Sequence, residues 1–430
     1  MRRLTELVVG LCTLGLLTST WLIQGLFVPL RVASDSMAGA VLGPHSKVDC
    51  RDCGFRFALS CETTSPQPIV CPNCGAANDP NTFSQVVGDR LVIDRAGCVL
   101  RPPQRWEIVA LRCPDRADEV CVKRIIGLPG EAVQIRRGDI YINGRIARKD
   151  LRSLLEMAVS VHDEFQPADT ESFWRPEDTS SEWRSMADEF TCDRQGMSAS
   201  SQRVDWLTYE HRQFSALAAK GTPSAILNDI AYNQSESREL APVPDVMLRC
   251  TARVVGDGAL LFKVDDFRDE FVVRLSAGTQ GAKLLRNGQE VARAATTVAL
   301  DPPVDVDLAL ADHQLLLAVN RRVVLEYPYE PSDRAAKPTP HPLAIGAERA
   351  TAQVAKVRVL RDIFYSPAEG VSATKEYRLG ADEYFVLGDN SPVSEDSRSW
   401  KLAVPSELIL GKALVWRWPS GWKQGHRTVK

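Results

Sequence analysis

The sequence predicts a mainly β protein led by one apolar helix, and three observations carry that reading. From Val246 onward, short runs rich in Val, Leu, Ile and Phe are separated by Gly-Asp-Gly and Arg-Asn-Gly turn signals. Leu7 to Leu30 contains no charged residue. Between these regions lie Cys50-x2-Cys53 and Cys71-x2-Cys74, the spacing of two metal-gripping knuckles. The 430 residues suggest two or three domains, and 44% apolar with 25% charged residues is an ordinary globular balance. The charge sum, 52 − 55 = −3, argues against a protein held to nucleic acid by bulk positive charge, and no nucleic-acid partner is expected.

The elements follow in chain order. As a helix, Leu7 to Leu30 would span about 36 Å, more than the roughly 30 Å of a bilayer's hydrocarbon layer. Arg2 and Arg3 favour the cytoplasm, which puts the rest of the chain outside. Residues 1–31 therefore read as a cytoplasmic tip and single-pass transmembrane anchor in the cell (inner) membrane, with lipid as a partner. The competing reading is a cleavable signal peptide, with small residues at Val32-Ala33-Ser34 near a possible cut.

Residues 49–81 read as a zinc-ribbon-like insertion. Cys50, Cys53, Cys71 and Cys74 offer the four thiolates that Zn²⁺ prefers, and Gly54 and Gly75 follow the second cysteine of each pair, where a knuckle needs positive φ. Two local disulfides are the alternative, since the expected compartment is oxidising. The chain has eleven cysteines. Cys61 is the spare of the cassette, and Cys12, Cys98, Cys113, Cys121, Cys192 and Cys250 read as ordinary thiols.

The long stretch 150–376 opens with Leu151, Leu154, Leu155, Ala158 and Val161 at helical spacing. A region without clear period follows, carrying Trp174, Trp183 and Trp206. From about 245 to 365 the chain reads as strands, among them 252–255, 260–264, 270–275, 283–285, the cleanly alternating 304–310, a hairpin over 313–326, and 355–361. That spacing suggests a β-sandwich with weak likeness to jelly rolls.

Three short segments remain: Ser34-Asp35-Ser36-Met37, Val122 to Glu131 around Lys123, and Gly388-Asp389-Asn390 through Arg398. Each has a local structural explanation when taken alone. Together and in this order they resemble signal peptidase I, the membrane-bound serine–lysine peptidases. Gly88 to Ile93, Arg105 to Leu111, Gly138 to Gly144 and Gly411-Lys412-Ala413 resemble the strands that join the family's boxes. Two positions depart from the family pattern: Gly39-Ala40 stand where Pro-Thr is usual, and Ser391 where many relatives have Arg.

The resemblance implies a split catalytic β core over 32–48, 82–149 and 377–423, followed by a tail at 424–430. It implies Ser36 as nucleophile and Lys123 as general base. Ser34 would help hold the oxyanion, Ser394 would orient Lys123, Asp396 and Arg398 would form a supporting ion pair, and Asp389 and Asn390 would be structural. The implied partners are preproteins carrying signal peptides, with small residues before the cut. The chemistry needs no cofactor, so any zinc would be structural. Lysine can take the serine proton only when neutral, and its reference pKa near 10.4 must fall by roughly 3 units for work near pH 7. Burial supplies such a fall, and Val122 with Ile125-Ile126 provides apolar flanks. The rival reading is a non-catalytic, membrane-anchored binding protein in which the core has decayed and the sandwich binds glycan or protein.

Overall fold

The computed structural model describes residues 2–19, 25–61, 69–164, 172–186, 189–194, 203–215, 218–234, 238–276, 281–294, 298–367, 375–400 and 402–415. The described chain is mainly β and divides into two compact units. The first comprises 1–46, 85–147 and 365–421, and the second comprises 47–84, 148–364 and 422–430. The expected tail at 424–430 lies outside the described residues.

In the first unit, a seven-stranded antiparallel sheet runs in the order Phe27–Arg31, Arg90–Asp94, Ile409–Val415, Ile108–Cys113, Arg116–Gly127, Glu383–Leu387, Val404–Pro405. A four-stranded sheet is built from Arg145–Ile146, Asp139–Ile142, Ala132–Arg136 and Glu376–Arg378. Its hairpins turn through Arg137-Gly138 and Asn143-Gly144, all four at positive φ. Two left-handed residues in succession match the right-handed twist of the flanking strands.

The N-terminal helix covers Arg2–Ser19, and the chain is a strand again at Phe27–Arg31. This corrects the expectation of one helix to Leu30. Pro29 cannot donate to a helical ladder, but it is tolerated on the edge strand, where it lies opposite Val92. Among the described residues, no helix is long and apolar enough to cross a membrane.

In the second unit, Thr351–Arg361 and Val246–Val255 form the middle of one large sheet, flanked by Glu189–Asp193 and Trp183–Met186 on one side. Val304–Ala311, Gln314–Val319 and Arg322–Pro328 lie on the other. A second sheet runs Trp174–Pro176, Asp205–Tyr209, Leu343–Glu348, Ala259–Asp265, Glu270–Ser276, Ala282–Arg286, Gln289–Arg293. Strands of both sheets contribute to one apolar core, including Phe190, Leu248, Val306 and Leu317 from the first and Leu207, Phe262, Phe271 and Ile345 from the second. Trp174 and Trp183 are buried in it.

Two sequence readings change here. The helix opening this region stops at Met157, and Val159–Asp163 is a strand paired with Thr351–Arg361. β-branched Val159 and Val161 suit the pleated surface that the longer strand provides. The aperiodic region after it also supplies strands to both sheets; at three to five residues each, they are too short to show a period.

Candidate active site

The loop after the first strand is held at both ends by one residue. Val32 N–H donates to Asp89 O at 3.0 Å, Asp89 N–H donates to Leu42 O at 2.8 Å, and Leu42 N–H donates to the Asp89 carboxylate at 3.0 Å. Gly88 is required beside it: its φ is +100°, and a Cβ there would stand 2.2 Å from Val32 O. Within the loop, Ala38 N–H donates to Asp35 O and Val41 N–H to Met37 O. Met37 and Val41 are buried against Leu91, Ile93, Ala110 and Val122. Ser36 is buried between these anchors, and Ser34 Oγ lies 3.3 Å from Ser36 Oγ, longer than an ordinary hydroxyl–hydroxyl bond. Gly39 takes φ +106°, a conformation proline cannot adopt.

Lys123 lies on Arg116–Gly127, the strand between Ile108–Cys113 and Glu383–Leu387, with Val109 as its partner. Two residues earlier, Cys121 forms a disulfide with Cys113 across the same strand pair, their Cα atoms 5.5 Å apart. This corrects the reading of both as ordinary thiols; the hairpin juxtaposes them, and their spacing carries no such signal. Lys123 is only 3% exposed. Burial pulls its ammonium pKa down to about 8; the negative charge of Asp396 opposes the fall and Arg398 adds to it. The amine stands 6.0 Å from the centre of the Trp400 ring.

The Gly-Asp-Asn segment connects the two. Leu387 pairs with Arg124, so Gly388 follows at the level of Lys123. A Cβ on Gly388 would lie 2.1 Å from Ser394 Oγ and 2.4 Å from the carbonyl oxygen of Ser36. Asn390 fastens the Ser36 loop: its N–H donates to Ser36 O and its side-chain amide to Asp35 O, each at 3.0 Å. Asp396 accepts from Gly388 N–H at 3.0 Å and from Arg398 Nη2 at 2.6 Å. The Ser391 hydroxyl accepts from Arg398 at 2.7 Å and from Ser366 N–H at 2.9 Å.

The segments singled out in the sequence thus meet around Gly388. Among the described residues, no hydrogen bond joins Lys123 Nζ to Ser36 Oγ or to Ser394 Oγ, and Ser394 Oγ is buried without a partner. Catalytic hydrogen bonds are commonly long before substrate binds. Gly388→Ala should therefore cripple the site, because the added methyl meets a backbone oxygen that cannot swing aside. If the site has the peptidase activity that the sequence resemblance implies, Gly388→Ala should lower it at least a hundredfold with the fold retained by circular dichroism; near-normal activity would show that the close approach does not matter.

Sequence reasoning missed Asp89 and Arg124. Arg124 Nε donates to Asp389 Oδ1 at 2.7 Å and Nη1 donates to Trp106 O at 2.7 Å; both side chains of the pair are nearly inaccessible. The only signal available was an arginine within an apolar strand run. In the second unit, the Sγ atoms of Cys50, Cys53, Cys71 and Cys74 all lie within 4.8 Å of one another.

Comparison with known proteins bears on this arrangement. The family model described as signal peptidase, peptidase S26, matches residues 78–180 and 320–418, which include Lys123 and Asp389 to Arg398 but not Ser36. A probable signal peptidase I-2 from Synechocystis sp. is 38% identical over 65 residues, 14% of this chain and 30% of that protein. Signal peptidase I V from Bacillus subtilis is 30% identical over 89 residues, 20% of this chain and 50% of that protein. The matches therefore span 30% to 50% of these relatives. A carbohydrate binding module from Bacillus subtilis superposes on 44% of this chain and 94% of its own at 11% identity, with a TM-score of 0.29, too low to carry an argument.

Proposed function

We propose, from the chain's membership of the signal peptidase family (peptidase S26), that it is a membrane-anchored serine endopeptidase that removes signal peptides from exported proteins by a Ser36–Lys123 dyad. The observation that carries the reading is the junction at Gly388, where the Ser36 loop, Ser394 and the strand bearing a buried Lys123 come together. In this reading, neutral Lys123 Nζ takes the Ser36 hydroxyl proton as Oγ bonds to the scissile carbonyl carbon. Negative charge then moves to the carbonyl oxygen, where the Ser36 N–H and the Ser34 hydroxyl donate to it. The resulting ammonium returns the proton to the departing amine as the peptide bond breaks, leaving an acyl ester on Ser36. A water, deprotonated by the same lysine, hydrolyses that ester. Ser394 orients the amine, while Asp396 with Arg398, and Asp389 with Asn390, hold the loops.

The anchor in this reading is the apolar stretch that begins with the Arg2–Ser19 helix. Leu4, Leu7, Leu11, Leu14, Leu16 and Leu17 are all more than half exposed on it, a surface suited to lipid. Arg2 and Arg3 would lie inside and the catalytic body outside the cell membrane. The two large sheets with their common core read as a jelly-roll-like β-sandwich inserted into the peptidase core.

The test is cleavage of a preprotein in detergent by wild type beside Ser36→Ala. Wild type should release a signal peptide after a small residue, and Ser36→Ala should fall to background. Cleavage undiminished by Ser36→Ala would dismiss Ser36 as nucleophile, and an inert wild type would favour a binding protein.

A further inference from the structure

The four-cysteine group lies in the second unit and has no part in the peptidase reading. Each pair sits on a turn of the same build. Cys50 N–H donates to Phe55 O and Gly54 N–H to Cys50 O; Cys71 N–H donates to Ala76 O and Gly75 N–H to Cys71 O. Gly54 and Gly75 have φ +68° and +78°. Two copies of one knuckle thus face each other and present four sulfurs.

The spacing of those sulfurs is informative. Cys50 Sγ to Cys74 Sγ and Cys53 Sγ to Cys71 Sγ are both 3.7 Å. Four sulfurs at a Zn–S distance of about 2.3 Å on a tetrahedron stand about 3.8 Å apart. A disulfide would bring a pair to about 2.05 Å. The two close pairs also run between knuckles, whereas local disulfides would join sulfurs within one. Phe55, Phe57, Leu59 and Val48 pack with the group in one apolar cluster.

Asn73 sits between the cysteines of the second knuckle and is 2% exposed. Its amide Nδ2 donates to Cys53 Sγ at 3.7 Å and to Asp163 O at 3.0 Å. Its Oδ1 accepts from Asp163 N–H at 2.7 Å. One side chain therefore touches a sulfur and satisfies both backbone groups of a residue ninety positions away, at the end of the strand paired with Thr351–Arg361. Gln234 makes a parallel pair of bonds to Val70: Nε2 donates to Val70 O at 2.7 Å and Oε1 accepts from Val70 N–H at 3.2 Å.

We propose that Cys50, Cys53, Cys71 and Cys74 bind one Zn²⁺ as thiolates, and that Asn73 couples this site to the large β domain by bonding Cys53 Sγ and the Asp163 backbone together. Each thiol releases its proton on binding, and no oxidant or reductant is involved. The metal fixes the knuckles, the knuckles fix Asn73, and Asn73 fixes the end of the Val159–Asp163 strand. Groups that bond a metal's ligands typically change affinity by 10- to 100-fold when removed.

The experiment uses the full chain purified in detergent under reducing conditions. Metal analysis should return one zinc per chain, and a strong chelator should remove it and speed amide exchange at both the 69–78 segment and Asp163. Asn73→Ala should still bind zinc but with 10- to 100-fold weaker affinity in competition with a chromophoric chelator. Asn73→Asp, which keeps the acceptor for Asp163 N–H but loses the donor to sulfur, should also weaken zinc. Protein that takes up no zinc, or that yields mapped disulfides among the four cysteines when purified without reductant, would overturn the metal site. Zinc affinity unchanged in Asn73→Ala, or Asp163 exchange unmoved by chelation, would overturn the coupling.

Discussion

Lys123→Met is expected to abolish cleavage and at the same time to stabilise the protein at pH 7. The drop of the lysine pKa from 10.5 to about 8 corresponds to ~3 kcal/mol against the buried ammonium. Below pH 8 the amine is protonated in the folded and the unfolded chain alike, so the folded state carries that whole penalty. Between about pH 8 and 10.5 the folded amine is neutral while the unfolded one still binds a proton, and stability rises with pH. Above 10.5 the penalty is gone. Methionine fills a similar volume without charge, so Lys123→Met should gain up to ~3 kcal/mol at pH 7 and nearly nothing at pH 10.5. Denaturant midpoints at the two pH values measure this; a variant less stable than wild type at pH 7 would contradict it. Lys123→Arg should not restore cleavage, since a guanidinium stays protonated and cannot take the serine proton. Wild-type turnover should fall as pH drops through about 8, the value burial sets for the amine. A flat profile from pH 6 to 9, or active Lys123→Arg, would require another base.

Asp389→Ala should be strongly destabilising in the first unit. Its carboxylate and the Arg124 guanidinium are 1% and 4% exposed, and they bond through two nitrogens. Removing one partner leaves a buried, uncompensated charge, which typically costs about 3–5 kcal/mol. The double variant Arg124→Met with Asp389→Leu should recover most of that loss, because it removes both charges and keeps apolar volume. Equal instability of the single and double variants would mean that the Arg124 bond to Trp106 O, or packing alone, accounts for the cost. Since Asp389 neighbours Asn390, which fastens Ser36 O, the single variant should also lose activity in proportion to local unfolding.

Much of the β content was legible because its signal is local. Val304–Ala311 alternates in sequence and is a strand, and the Asn287-Gly288 and Asn320-Arg321 pairs mark hairpins whose residues do adopt positive φ. The order of the Ser36, Lys123 and Gly388 segments carries a family resemblance, and that resemblance implies one chemistry. Pro29 lay inside an apolar run whose length suggested a helix; the run's composition was plain, but its end in a strand depended on the edge that Arg90–Asp94 offers. The short strands around Trp174, Trp183 and Cys192 had no period to read and acquire their form from the sheets they join.

The sequence by itself determined the residue types and order on which the candidate chemistry rests: a serine, a lysine in an apolar strand, a Gly-Asp-Asn turn and two cysteine knuckles. Only the tertiary structure decided that Lys123 is buried enough to bring its pKa to about 8, that Cys113 bonds Cys121, that Arg124 pairs with Asp389, and that Asn73 reaches Asp163. Chemical identity is written residue by residue, whereas desolvation and pairing depend on which distant segments fold against each other, and these contacts join positions up to 265 residues apart.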